Sequence, residues 1–588
     1  MAIPQRRTAI TASVSSPVGG WNARDSIANM PPLDAVALTN LWPTPTDVQL
    51  RLGYTQFSTG ITGQVNSLMN YAGTSFQELY AAAGTNIYDV SGPTAVVVKT
   101  ITNDKFQHIN VSTPGGNFMV AVNGVDPAQL FDGTNWISYA STATAQTIST
   151  ITRGGTGNLT ATVTTASPHG LVTGNQIVLS GATAAQYNGT FIITKVSNTV
   201  FTYVMASAPA ANATVVGAYT INYAITGVDS STLVHVNLFK NFLFFVQENS
   251  MEVYYLPVSQ VAGAALPLDF GGIARMGGFI QAMGTWTIDA GQGADDYAVW
   301  ITNNGEAIVY NGTNPDAAET WALKGVWQLG QTYNRRCFLK FGGDLLLLTQ
   351  DGLVPLAAAL QSSRLDPRIN LTDKIFYALS RAASLYQNNF GWQINYFASE
   401  NMLIINVPLT EGIQQFCMHT ISKSWCNFTD ISATCWELSY DQMYFGGNGY
   451  VGRFWDAYSD NGNNINATVQ QAYSYFDAPG QQKRFTMIRP IFQTDNGLPG
   501  ILVGINTDFD AQDNLGSVSF NAISSTLGVW DTGVWDEDVW GGNLSLTKLW
   551  QGVTGLGYSA GIIMKIASQG IDVHWVSSDY VMERGSVL

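Results

Sequence analysis

One pattern constrains this chain before any other: an apolar strand, a tight turn and a second strand ending in an aromatic residue, carried by seven segments. They are FQELYAAAGTNIYDV, NFMVAVNGVDPAQLFDGTNWISY, NFLFFVQENSMEVYYL, DYAVWITNNGEAIVYNG, DLLLLTQDGLVPL, MLIINVPLTEGIQQFCMHTISKSWCNF and QMYFGGNGYVGRFWD. Short apolar runs bounded by Gly, Asn and Asp read as strands and turns. The pairs Asn304-Gly305, Asp351-Gly352 and Asn448-Gly449 favour the positive φ that hairpins demand. A hairpin recurring this often predicts an all-β fold with a β-propeller-like central domain, because blades stacked radially leave few free strand edges. An irregular array of β-sandwiches is the competing architecture.

The rest of the chain divides around this array. Residues 1–64 form a Pro-rich N-terminal arm: Pro31, Pro32, Pro43 and Pro45 forbid a long helix, so extended chain with at most a helical turn at Asp34 to Asn40 is expected. Such an arm packs along a neighbour or closes a ring of strands. Residues 65–142 and 223–464 are assigned to the propeller-like domain. Residues 143–222, almost free of charge and rich in Thr, Ala and Val, read as a small β-barrel or sandwich module inserted between blades, with turns at Pro168-His169-Gly170 and Asn188-Gly189. Residues 370–386 are the best helix candidate, with Thr372 as its cap and Ile375, Phe376, Leu379 and Ala382 near helical spacing. From residue 465 to 588 a C-terminal β domain is expected.

Charge narrows the function. Only 11% of the residues are charged, against about 25% in ordinary soluble domains, and Asn, Gln, Ser, Thr and Gly fill the gap. A neutral surface defends poorly against association, so the chain reads as a subunit covered by neighbours, with an uncharged monomeric secreted protein as the alternative. The net charge of −15 argues against gripping nucleic acid, which needs Lys and Arg to displace counterions. It suits a conduit along which genome DNA slides without specific binding. No apolar run approaches a membrane span of about 18 residues, and no signal-peptide h-region follows the first arginines.

Motifs that carry chemistry are sparse. Cys337, Cys417, Cys426 and Cys435 lack CxxC spacing and read as buried thiols of a protein assembled in a reducing cytoplasm. His108, His169, His235, His419 and His574 show no paired-ligand spacing, so no metal or other cofactor is expected. Asp456, Asp460, Asn461 and Asn463 resemble a calcium loop but lack its terminal bidentate Glu, and a solvated turn is the simpler reading. Gly557-Tyr558-Ser559-Ala560-Gly561 matches a nucleophile elbow, with Asp572 and His574 downstream; strand character on both sides argues against catalysis there. Carboxylate pairs for glycoside hydrolysis are spatial and leave no trace in spacing. Trp530, Trp535 and Trp540 recur every five residues, a period of neither helix nor strand; they read as a loop anchored by buried rings, with a sugar-stacking platform as the alternative. The chain is therefore expected not to be an enzyme, with no catalytic, cofactor-binding or metal residues assigned.

The run Gly19-Gly20-Trp21-Asn22-Ala23-Arg24-Asp25, then Met30-Pro31-Pro32, Asp34-Ala35, Leu38-Thr39-Asn40, Trp42-Pro43 and Leu50-Arg51-Leu52-Gly53-Tyr54, resembles the opening of podovirus (short-tailed bacteriophage) tail nozzle or tail tubular proteins. Residues 143–222 depart from that family. The resemblance implies a propeller-containing virion protein, six copies of which form the distal tube of a short tail around the DNA-ejection channel. Its implied partners are itself, the tail adaptor ring, fibre, spike or needle proteins, and the host envelope at the distal end. A receptor-binding or glycan-degrading tailspike or tail fibre protein is the alternative.

Overall fold

Five of the seven repeated hairpins fold into antiparallel meanders; Met402–Pro408 with Ile413–His419 joins a ten-stranded sheet, and Gln442–Gly446 with Asn448–Phe454 belongs to the sheet that contains Tyr54–Ala72. In the computed structural model, residues 9–113, 116–139, 145–222, 225–289, 294–359, 370–495, 499–510, 515–518 and 545–587 are described. The chain forms two compact units, one of residues 58–366 and 448–451, the other of residues 1–57, 367–447 and 452–588. The sequence boundaries instead placed residues 367–447 with the propeller. Among the described residues no helix is long and apolar enough to cross a membrane.

The first unit contains five such meanders among the described residues. Blade one uses Tyr54–Ala72, Gln77–Ala83, Asn86–Asp89 and Val96–Thr100; blade two uses Gln107–Thr113, Gly116–Val122, Gln129–Phe131 and Trp136–Ser138. Blade three comprises Leu233–Phe239, Phe242–Gln247, Glu252–Tyr255 and Leu266–Asp269; blade four comprises Ile280–Asp289, Ala294–Thr302, Glu306–Gly312 and Trp321–Gln328. Blade five has three strands, Phe338–Phe341, Asp344–Thr349 and Gly352–Pro355. The first strands of blades two, three, four and five lie side by side, as the inner strands of a propeller do. The chain is thus all-β with a propeller-like domain, as the hairpin pattern predicts.

Local chemistry explains the hairpins. In blade three, Lys240 and Asn241 both take positive φ (49° and 63°), the two-residue turn whose twist matches its flanking strands. At Asn304-Gly305, Gly305 has φ +86°, and a Cβ there would lie 2.4 Å from the Leu329 carbonyl oxygen, so only glycine fits. Register shifts recur in the first strand of blades one, three and four: at Leu233/His235 and Ile280/Ala282, at the strand's start, and at Val65/Ser67, past the middle of Tyr54–Ala72. Such irregularities bend a strand and increase its twist.

Residues 145–222 build a seven-stranded antiparallel sheet whose order begins with Ala145–Thr147 and Val216–Asn222 and ends with Thr150–Gly154. It has its own core of Ile151, Val163, Ile177, Leu179, Tyr187, Ile193, Phe201, Tyr203 and Tyr219.

The second unit contains two large sheets and, outside both, the hairpin of Trp436–Ser439 with Gln442–Gly446. Asp34–Thr39 runs antiparallel to Ile465–Gln471 and meets Ser424–Phe428 in parallel, in the middle of a ten-stranded sheet. Ala9–Ser15 pairs along Val573–Val587, which also carries Gln481–Thr494 on its other side. The Pro-rich run therefore supplies strands to both sheets. Arg51 is fully buried there. It donates to both Asp460 oxygens (2.8 and 2.7 Å), to Asn40 Oδ1 (2.9 Å) and to the Thr429 carbonyl (3.0 Å). The helix expected at 370–386 is a 3₁₀ turn, Asp373–Ile375, followed by an α-helix, Phe376–Tyr386; Thr372 makes no side-chain capping bond.

Candidate functional site

Period-two geometry gathers acidic and aromatic side chains at the seam of blades one and two. Tyr80 on Gln77–Ala83 pairs with Asp89 on Asn86–Asp89. Glu78, two residues before Tyr80, shares its face. From blade two, Phe131 and Trp136 pair directly across a hairpin closed by Asp132-Gly133-Thr134-Asn135. Asp132 Oδ1 accepts from the backbone N–H of Thr134 (2.9 Å) and Asn135 (2.7 Å), which fixes the turn. Gly133 has φ +88°, which favours glycine, and a Cβ there would stand 2.7 Å from the Tyr71 hydroxyl, so a side chain would strain the turn and press on the Tyr71 ring.

The rings interlock edge to face. Tyr80 meets Trp136 at 5.2 Å and Phe131 at 5.0 Å between centroids, and Tyr71 meets Phe131 at 5.0 Å. Such pairs add about 0.5–1.5 kcal/mol each beyond burial. Beside them opens a cavity of about 430 Å³, lined by Glu78, Tyr80, Asp89, Val98, Asn135 and Trp136 among others. The Tyr80 hydroxyl donates to Glu78 Oε2 at 2.7 Å. Burial first, then that hydrogen bond and the charges of Glu78 and Asp89, push the Tyr80 pKa far up, so it remains a protonated donor. The Trp136 indole N–H is buried with no hydrogen-bond partner among the described residues. A buried donor without an acceptor costs about 1–3 kcal/mol. The site thus offers two carboxylates, a fixed phenol and an indole edge, the groups that accept from hydroxyls and pack against the apolar face of a polyhydroxylated ring.

The residues singled out in the sequence are occupied elsewhere. Ser559 is buried in the connection between two strands, Gln551–Gly557 and Ala560–Ser568, where Asp508 Oδ1 accepts from the N–H of Tyr558 (2.7 Å) and Ser559 (2.9 Å). A strand-to-strand turn is not a nucleophile elbow. His574 holds Asp47 on Nδ1 (2.8 Å) and Asp572 on Nε2 (3.2 Å), leaving neither nitrogen to serve as a base for Ser559. Asp460 is the partner of Arg51, and Asp456 accepts from Thr55 and Arg453, so neither carboxylate is available to a cation. His169 Nδ1 accepts from the Leu171 N–H and His419 Nδ1 meets the Ser422 hydroxyl. Among the described residues no three His, Cys, Asp or Glu gather as a metal site. All four cysteines are buried thiols outside any disulfide; Cys417 and Cys426 face each other on adjacent strands, and burial pushes the Cys337 thiol up to about 12. Trp530, Trp535 and Trp540 lie outside the described residues.

A second cavity, about 740 Å³, lies in the other unit against the N-terminal run. Its charges are largely matched within it: Arg24 pairs with Asp25 and Asp373, and Lys374 with Asp34 (2.9 Å). Gly19 and Asp34 of the run resembling nozzle proteins line it, and Lys374 donates to the Gly19 carbonyl. This cavity is chiefly a device that holds the run in place.

No family model matches the sequence, and no curated protein matches it. Among solved structures the chain is similar to the phage phi92 endosialidase, at 12% identity over 67% of this chain and 64% of that one, with a TM-score of 0.26. It is also similar to the β-propeller domain of Myceliophthora thermophila Cps50 (Swd1), at 7% identity over 68% of this chain and 99% of that one, with a TM-score of 0.25. The chain spans less than two thirds of the endosialidase's length. These scores identify neither a family nor an activity. The expectation that the chain is not an enzyme is corrected all the same, on the ground of the sequence argument itself and not of this likeness. The physical reason is that the sequence argument could reject only motifs with fixed spacing, whereas carboxylates such as Glu78 and Asp89 are brought to one face by strand pairing.

Proposed function

We propose that this chain is a phage tail protein that contacts a host-envelope glycan through the pocket at the seam of blades one and two. The observation that carries the reading is the joint presence of Glu78, Asp89, Tyr80 and Trp136 on the lining of one cavity of about 430 Å³. The phage setting rests on the resemblance of residues 19–54 to nozzle proteins. A carboxylate pair is also the equipment of glycoside hydrolysis, so bound polysaccharide is a candidate for cleavage at the same place.

A ring-forming nozzle subunit, with copies of itself, the adaptor ring and passing DNA as partners, is the second reading. It is favoured by the way Asn40, Arg51 and Asp34 of the resembling run are built into buried networks. Both readings describe a tail component and differ in what the propeller touches.

The test is calorimetric titration of the intact protein with host-envelope polysaccharide, alongside an assay for released reducing ends. Wild type is expected to bind, and Glu78→Gln to weaken binding by about tenfold or more while melting as wild type does; Trp136→Ala is expected to weaken binding as well, at a cost in melting temperature because its ring packs on Tyr80 and Phe131. Reducing ends released by wild type and not by Glu78→Gln mark a glycanase; binding without release marks a lectin. Wild-type protein that binds no envelope polysaccharide removes the glycan reading and leaves the nozzle.

A further inference from the structure

The cavity at the seam of blades one and two is one-sided in its chemistry, and that bears on which glycan it takes. Glu78 and Asp89 are half-buried on adjacent strands, and the pairing of Tyr80 with Asp89 sets both carboxylates on the Tyr80 face. Each has one oxygen committed to the fold. Glu78 Oε2 accepts from the Tyr80 hydroxyl (2.7 Å), and Asp89 Oδ1 accepts from the Ser91 N–H (2.9 Å). Glu78 Oε1 and Asp89 Oδ2 accept from no described residue. Among the described residues, no Lys, Arg or His lines the cavity to answer the two charges.

The other walls add rings and acceptors. The Tyr80 hydroxyl spends its one proton on Glu78, so toward a ligand it can only accept. Phe131 and Trp136 bring two rings with centroids 5.2 Å apart. The Trp136 N–H is buried, which leaves Thr134 and Asn135, both exposed on the turn, as the side-chain donors of the lining. An acidic sugar would set its own carboxylate or phosphate beside two like charges with no cation between them. An N-acetylated sugar would offer a neutral amide to charged acceptors. A protonated amine fits better than either: it carries three N–H donors and no acceptor, and its charge is attracted both to carboxylates and to aromatic faces.

We propose, resting on the glycan reading above, that this cavity selects a sugar unit bearing a free amino group, its ammonium held by Glu78 and Asp89 and its ring packed on Phe131 and Trp136. Acidic units are excluded by the same two carboxylates.

The test titrates the intact protein with host-envelope polysaccharide before and after its amines are capped with acetic anhydride, at fixed pH and ionic strength. Capping is expected to weaken binding by about tenfold or more, because charge-assisted hydrogen bonds are roughly twice as strong as neutral ones. Glucosamine is expected to displace the untreated polysaccharide at concentrations about tenfold below those N-acetylglucosamine requires. A net charge of −15 draws any cationic sugar weakly, so two variants separate the cavity from that general field. Glu78→Gln and Asp89→Asn each keep a carbonyl oxygen to accept from Tyr80 or Ser91, and both are expected to lose most of the preference for the amine. Capped polysaccharide that binds as the untreated does overturns the selection and leaves the glycan reading standing, and this comparison needs no variant. Untreated polysaccharide that does not bind removes both. A preference that survives in both variants also overturns the proposal, since the amine is then held elsewhere.

Discussion

His574 is held between two carboxylates on the second unit, and the arrangement makes stability depend on pH. Burial by itself lowers its pKa, but the hydrogen bonds it donates to Asp47 and Asp572, with their charges, outweigh this and raise it from 6.5 to about 9. Because the folded value lies above the unfolded one, the contribution is complete below pH 6.5 and is lost as pH rises through about 9. Asp47 behaves oppositely: burial opposes its ionisation, yet His574 and Thr44 lower its pKa, so its contribution is lost in acid as pH falls through the folded value. With the imidazole 14% exposed, the alkaline loss is on the order of 2 kcal/mol. His574→Asn is expected to flatten the fall in that unit's melting temperature between pH 6.5 and 9. Equal slopes in variant and wild type contradict the assignment.

At the scale of strands and blades, Arg336 acts as a clasp. One guanidinium nitrogen reaches the first strand of blade one and the residue before blade two's first strand, while the residue itself leads into blade five. Arg336→Met leaves the Asn66 and Phe106 carbonyls without this donor, an expected cost of about 3 kcal/mol. Amide hydrogen exchange near Asn66 and Phe106 should rise in the variant, and exchange unchanged there would show that closure rests on apolar packing alone. The hairpins themselves were legible in the sequence, because turn pairs such as Asn304-Gly305 encode their φ locally. The register shifts at Val65/Ser67 and Leu233/His235 were not, since they answer to the pairing of strands and not to residue type. Prolines correctly barred a long helix from the N-terminal run, but the pairing of Asp34–Thr39 with Ile465–Gln471 is set by partners far along the chain. The alternation of Glu78 and Tyr80 was readable as one strand face; the approach of Trp136 across a blade seam, which makes a cavity of it, depends on tertiary packing.

Across the molecule, a chain with 11% charged residues and a net charge of −15 must hold its shape by apolar layers and backbone pairing, and these come as separable cores. The inserted module shows how separable. Ala145 and Thr220 are direct partners on adjacent strands, so the module leaves and rejoins the propeller unit at neighbouring points. Its aromatic core around Tyr187, Phe201 and Tyr203 is its own. Its attachment is narrow: Val172 packs into the core shared with blades two and three, and Gly174 lies so close to Val261 that a Cβ would stand 2.8 Å from the Val261 nitrogen. Replacing residues 145–222 with a short Gly-Ser linker is therefore expected to leave a folded propeller unit, destabilised by about 1–3 kcal/mol through the gap left at Val172. Loop-closure entropy adds little, because the linker joins ends that already lie together. Glu78, Asp89 and Trp136 sit on blades one and two, outside the deletion, so polysaccharide binding should persist at wild-type affinity. Circular dichroism, melting and calorimetry on the shortened protein check each part. A shortened chain that folds but no longer binds assigns glycan recognition to the module, and one that does not fold shows the module to be integral to the blades that flank it.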